Sequence, residues 1–147
     1  MLAEMLKKLL ATEFAFYLKA HGFHWNVEGP DFGELHDFFG RLAEEVYENS
    51  IDRTAEFIRT LDEYSPASFE RYSQLSVLTE QTKIPRARLM LEELNNDNGQ
   101  VIGLLNDCFR AAAEENQEGI ANFIAERLDA HGKHGWMLRA YLKESRA

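Results

Sequence analysis

The sequence predicts an all-α fold, a four-helix bundle whose second and third helices are joined by one long crossover. Three observations predict it. Four long stretches repeat apolar residues at helical spacing, no stretch of useful length alternates as a strand would, and residues 62–85 interrupt the pattern between the two halves. The first helix covers about residues 2–26, with Leu2, Met5, Leu6, Leu9, Phe16, Ala20 and Phe23 along one stripe. Gly29-Pro30 stops it. Asp31, with Glu34 three residues on, has the pattern of a capping box and starts a second helix that runs to about Leu61. The connection carries Pro66 and Pro85, and "ASFERYSQLS" within it fits a short helix. Its length suits a crossing of the bundle better than a turn between adjacent antiparallel helices. The third helix fits about 86–114, with Leu91, Leu94, Val101, Leu105 and Cys108 inward. The fourth fits about 117–144, with Ile120, Ile124, Leu128, His131, Leu138 and Leu142 on one stripe. Four helices with one long crossover in the middle describe a ferritin-like bundle.

The length of 147 residues suits one domain spanning 1–147, and a hydrophobic fraction of 45% excludes a disordered tail. The net charge of −9, with no cluster of Lys and Arg, speaks against a phosphate backbone as partner. Acidity suits metal cations, but plain solubility explains it as well, so charge alone decides nothing. No apolar run approaches the roughly 20 residues of a membrane span. The amphipathic start "MLAEMLKKLL" lacks the continuous apolar core and small-residue cleavage site of a signal peptide. The lone Cys108 cannot form an internal disulfide, which fits a reducing compartment. The expected location is cytoplasmic.

The second helix carries an irregularity. Leu35, Phe38, Phe39, Leu42 and Val46 make one stripe, and Tyr47, Ile51, Thr54, Ile58 and Leu61 make another, rotated by about one residue. An inserted residue near 47–50, absorbed as a π-bulge, produces that offset; a broad helix buried on two sides produces it equally well. Glu44, Glu48, Asp52 and Glu56 follow one another at four-residue steps on the same helix. Such a ladder is usually a solvated face. Arg41, Arg53 and Arg59 would relieve some of its repulsion, and a bound cation more.

The chemistry-bearing residues gather around the Gly29-Pro30 break. His24 continues the apolar stripe of the first helix and His36 follows Leu35 at the start of the second. With Asp52 and Glu56 downstream they form a candidate set of imidazole and carboxylate ligands. A histidine on an apolar face is more often an ordinary core residue, so spacing alone leaves both readings open. Glu-x-x-His, His-Glu-x-x-His, a Gly-rich phosphate loop and Gly-x-Ser-x-Gly are all absent. Cys108 reads as core filler. Of the pairs His21/His24 and His131/His134, the second reads as structural: His131 lies on the core stripe and His134 off it. His21 sits at the edge of its stripe, as a supporting group or a surface histidine.

Three segments carry a family likeness: "HWNVEGPDFGELH", "IDRTAEFIRTL" and "HGKHGWMLRAYL". They resemble the signature, the Asp-x-x-Ala-Glu segment and the closing His-Glu-Lys-x-x-Trp-Met-Leu-Arg stretch of the Dps mini-ferritins, the DNA-protecting proteins of starved cells. With the helix plan, the likeness covers nearly the whole chain, and its first segment is the specific one.

The resemblance implies a homo-oligomer, a hollow dodecamer of tetrahedral symmetry. It implies a ferroxidase that binds Fe(II) between two-fold related chains and oxidises it, preferably with hydrogen peroxide. Ferric mineral is then stored inside. The family's two ligand histidines fall on His24 and His36, and its ligand carboxylates on Asp52 and Glu56. One chain supplies the histidines and its neighbour the carboxylates, and Glu56 would bridge two irons in a di-iron centre. Trp25 would pack at the interface or quench stray oxidising equivalents; Glu118, Glu126 and Asp129 would line acidic pores, nucleate mineral or simply face solvent.

The chain departs from the pattern in four places. Asp52 follows His36 by sixteen residues where the family has fifteen, which matches the slip in the stripes and predicts a bulge. Gly40 stands where many relatives carry an acid, which weakens the second iron position. Gly132 replaces the closing glutamate, and the lysine-rich N-terminal tail of DNA-binding members is missing, so iron handling is favoured over DNA binding. The competing readings are a structural or DNA-condensing assembly with an impaired ferroxidase site, and a bundle that binds zinc only for assembly.

Overall fold

The computed structural model describes residues 1–143. It is a ferritin-like four-helix bundle with a short crossover helix. The elements are α1 (Leu2–Asn26), α2 (Phe32–Val46), a π-helical segment (Tyr47–Ile51), α3 (Asp52–Thr60), α4 (Phe69–Leu75), α5 (Ala87–Glu114) and α6 (Glu118–Leu142). No strand occurs among the described residues, and none of their helices is long and apolar enough to cross a membrane. Position 144, the expected end of the fourth helix, lies outside the described residues.

The stripes become the core. Leu2, Leu6, Leu9, Phe16, Ala20 and Phe23 of α1 are buried against Leu35, Phe39, Leu42 and Val46 of α2, and Leu94, Val101, Leu105 and Cys108 of α5. Each such Leu or Phe contributes roughly 1.5–3 kcal/mol when fully buried. The α1–α2 and α5–α6 hairpins are joined through the α1–α5 contact. α4 lies on α1, capped by Ser68, whose hydroxyl accepts from the Arg71 N–H at 3.2 Å. The crossover is pinned by the Val77 N–H donating to Thr12 and by Lys19, which bonds both the Thr79 carbonyl at 2.9 Å and the buried Asp97 at 2.7 Å.

The inserted residue is absorbed by a π turn over Tyr47–Ile51 between two α-helical stretches, which decides between the two readings of the offset stripes and matches the bulge expected from the spacing of His36 and Asp52. The line that stays buried across it runs Val46, Ser50, Thr54, Ile58; Tyr47, expected inward, is 53% exposed. Asp31 is the N-cap of α2, but its side chain makes no capping bond, so the expected capping box does not form. The turn is instead closed by the backbone, with Phe32 N–H donating to Gly29 O at 3.1 Å. Gly29 has φ 114°, a conformation that needs glycine.

Candidate metal centre

His24 lies in the last turn of α1 and α2 starts about one turn before His36, so the Gly29-Pro30 break folds the two histidines together. Their rings stack with centroids 4.0 Å apart and planes 14° from parallel. Each ring also bonds the other's backbone: His24 Nδ1 donates to the His36 carbonyl at 2.5 Å, and His36 Nδ1 to the His24 carbonyl at 2.7 Å. A carbonyl oxygen only accepts, so both Nδ1 atoms carry hydrogen, and in the neutral ring both lone pairs reside on Nε2. Fixing the tautomer and the plane of an imidazole through its other nitrogen is how proteins prepare a metal ligand. The stack continues on both sides, to Phe32 beyond His36 and to His21 and Trp25 beyond His24. His21 Nδ1 lies 3.2 Å from the Tyr17 hydroxyl, so the ring is held against the stack from its other side. Burial and the neighbouring His24 lower the His21 pKa.

Gly40 acquires a physical reason here. A Cβ on Gly40 would sit 2.7 Å from His24 Nδ1 and 2.8 Å from its Cε1. The His24 ring rests on the bare α2 backbone, and no acid fits there while it does. Beside it lies a groove of about 470 Å³ lined by Tyr17, His21, His24, Glu44, Tyr47 and Glu48, among others.

Asp52 and Glu56 stand on α3, both exposed, together with Glu44 and Glu48, so the acidic ladder is a solvated face. The expected relief by arginines does not occur. Arg41 pairs with Asp37 at 2.8 Å, Arg53 with Glu126 at 3.1 Å, and Arg59 bonds the Glu63 carbonyl. Among the described residues of one chain, no three His, Cys, Asp or Glu side chains converge to hold a metal ion. The chain thus unites His24 with His36 and leaves Asp52 and Glu56 apart from them.

Sequence reasoning missed a second polar centre, in the middle of the bundle. Glu13 of α1, Glu45 of α2 and Arg127, His131 and His134 of α6 meet there. His134, expected off the core, is only 7% exposed because its Nε2 lies 2.6 Å from Glu45. The signal was in the spacing: the 3–4 rhythm of α1 between Leu9 and Phe16 passes through Glu13, and that of α6 between Ile124 and Leu138 through Arg127 and His134. Burial pushes the Glu13 and Glu45 carboxyls up. The facing groups, His131 and Arg127 for Glu13 and His134 and Arg127 for Glu45, outweigh it and hold both below the usual carboxylate range. Cys108 is buried, and burial pushes its thiol up to about 12, which makes it inert core filler.

Comparison with known proteins places this architecture. Residues 3–147 match the ferritin-like domain family. The chain is 34% identical over 141 residues to a low temperature-induced protein of Nostoc sp., covering 95% of this chain and 78% of that one. It is 31% identical over 144 residues to DNA protection during starvation protein 2 of Bacillus anthracis, covering 96% of each. The crystal structure of a Dps protein from Vibrio cholerae O1, described as a member of a broad superfamily of ferritin-like diiron-carboxylate proteins, matches with a TM-score of 0.92 at 31% identity, over 97% of this chain and 89% of that one. With its helix order, its crossover and its histidine corner, this chain belongs to the Dps family of ferritin-like mini-ferritins.

Proposed function

We propose that this protein stores iron and protects against oxidative damage as a ferroxidase cage, a homo-dodecamer in which Fe(II) is both substrate and cargo. His24 and His36 of one copy supply nitrogen ligands, and Asp52 and Glu56 of a second copy supply oxygen ligands. Such a mixed set suits Fe(II). The observation that carries this reading is the reciprocal bonding of the two histidines, which leaves a lone-pair nitrogen on each. The separation of the carboxylates from the histidines within one chain supports a site shared between copies. So does the exposed apolar surface beside it: Leu18, Trp25, Phe69 and Ile84 border a groove of about 560 Å³ between α1 and the crossover.

At the shared site two Fe(II) ions each give one electron, and one hydrogen peroxide with two protons becomes two waters, so no hydroxyl radical is released. Ferric product then moves inward to exposed carboxylates, among them Glu118, Glu126 and Asp129. Gly40 favours a second reading, an assembly whose second iron position is impaired, because no acid accompanies the histidines on α2.

One experiment separates these readings: purified protein is mixed with ferrous iron and peroxide, and ferric absorbance is followed. The parent should oxidise iron, while His24→Ala and Asp52→Ala should each slow it by at least tenfold. Equal rates in parent and variants would remove the site. A native mass near 17.0 kDa, that of one chain, would remove the cage.

A further inference from the structure

The face on which Asp52 and Glu56 stand is decided at the π turn. A helix continued from Val46 without interruption would turn positions 53 and 57 inward. The π turn at Tyr47–Ile51 turns Ser50, Thr54 and Ile58 inward instead. The two registers differ by one residue, about 100° of rotation. Residues two apart on a helix point to nearly opposite sides. With Ser50, Thr54 and Ile58 buried, Asp52 and Glu56 therefore face away from the bundle, where both are exposed.

The inner line that holds this register is weakly apolar. Val46 and Ile58 are buried at its ends, but its middle is Ser50 and Thr54, and the Thr54 hydroxyl has no hydrogen-bond partner among the described residues. Ser50 has one: its hydroxyl donates to Glu13 Oε2 at 2.7 Å, with both side chains fully buried. Glu13 is itself held in place. His131 Nε2 donates to it at 3.1 Å, and His131 Nδ1 donates to Asn98 Oδ1 at 2.8 Å. Before the turn, Glu45 accepts from Arg127 at 2.6 and 3.0 Å and from His134 Nε2 at 2.6 Å. The ion-pair network of the bundle centre thus grips the chain on both sides of Tyr47, Glu48 and Asn49, which are exposed.

We infer that Ser50 and Glu13 are positioning residues for the metal site. The bond between them fixes the register of the π turn, and with it the face on which Asp52 and Glu56 are offered to a second copy. The inference rests on the reading of Asp52 and Glu56 as ligands. It links the buried network to the surface site through one turn of backbone.

The test follows Co(II), whose visible absorption reports its coordination geometry, on the assembled protein without iron or peroxide. Ser50→Ala removes the donor with little change in volume. It should weaken Co(II) binding about tenfold, the scale of disturbing a group that orients a ligand, and alter the absorption band. Deleting the exposed Asn49 leaves an uninterrupted α-helix with the same inner line, held by its own backbone bonds. In that background Ser50→Ala should lose its effect on affinity and spectrum. A residue that only stabilised the fold would lower the melting temperature in both backgrounds and move the spectrum in neither. An equal loss of affinity in both backgrounds overturns the inference. So does a Ser50→Ala protein that binds as the parent while Asp52→Ala binds more weakly, an outcome that leaves the shared site standing. If Asp52→Ala also binds Co(II) as the parent does, the site itself falls and the inference with it. Should the deletion fail to fold, amide hydrogen exchange of Ser50→Ala decides. Faster exchange confined to residues 47–52, together with the tenfold loss, supports the inference, and unchanged exchange there refutes it.

Discussion

At the bundle centre, Glu13 and Glu45 meet Arg127, His131 and His134 inside one chain; at the corner of α1 and α2, His24 and His36 stack on each other and, among the described residues, bond no charged group. The residue types are nearly the same, but the charge balance differs. The centre supplies its own cation, so its carboxylates are bound to protein. The corner satisfies one nitrogen of each ring with backbone and leaves the other unassigned. A self-paired cluster stabilises one chain, whereas a half-satisfied one on the surface can recruit a metal and a neighbour.

The comparison is most easily broken at the centre. Arg127→Ala leaves Glu13 buried without its fixed counter-charge and should cost about 3–5 kcal/mol in denaturant unfolding without added metal. A loss below about 1 kcal/mol would mean that the two regions do not differ in the way described. Acid should act on the same cluster. The Glu13 and Glu45 pKa values are lowered in the folded protein from an ordinary 4.5. Their stabilisation is therefore fully present above that pH and is lost as pH falls through the lower folded values. The melting temperature should fall below about pH 4.5, and Glu13→Gln should flatten that limb while His24→Ala leaves it in place.

At the corner the effect should be on metal rather than fold. Gly40→Ala drives a methyl into the His24 ring and should lower metal affinity about 10–100-fold, the usual cost of disturbing a group that orients a ligand. Titration with Fe(II) or Co(II) under anaerobic conditions measures it; unchanged affinity would show that the stacked pair is not the ligand geometry. The smallest effect belongs to an exposed ion pair beside it. Arg41→Ala removes a solvent-exposed pair with Asp37 and should change stability by about 0–1 kcal/mol, a control for the centre.

The sequence made the corner legible and hid the centre, for one physical reason. His24, His36 and the extra residue before Asp52 all disturb a regular pattern: a helix break places the first two, and a period slip marks the third. The π turn at Tyr47–Ile51 was readable because the offset between two stripes on one helix coincides with the extra residue between His36 and Asp52. Glu13, Arg127 and His134 disturb nothing, since they take core positions in rhythm and differ from their neighbours only in polarity. Reading burial from hydrophobicity skips them, because a charged residue enters the core only when partners from other helices arrive with it, and those partners are remote in sequence. Ser50 was hidden in the same way: it is buried by its bond to Glu13. The failed capping box at Asp31 shows the converse, a local motif that the backbone turn made unnecessary.

The central claim is that the histidine corner of one copy is completed by Asp52 and Glu56 of another. Co-assembly tests it most directly. A chain carrying His24→Ala and His36→Ala is mixed under denaturing conditions with one carrying Asp52→Ala and Glu56→Ala, and the two are refolded into mixed cages. Each variant alone should be inactive with Fe(II) and peroxide. In an equal mixture half of the two-fold interfaces join unlike chains, and each of these restores one of its two sites, so the account predicts about a quarter of the parent's rate. A mixture confirmed as co-assembled by native mass spectrometry that is as inactive as its components would contradict the shared site.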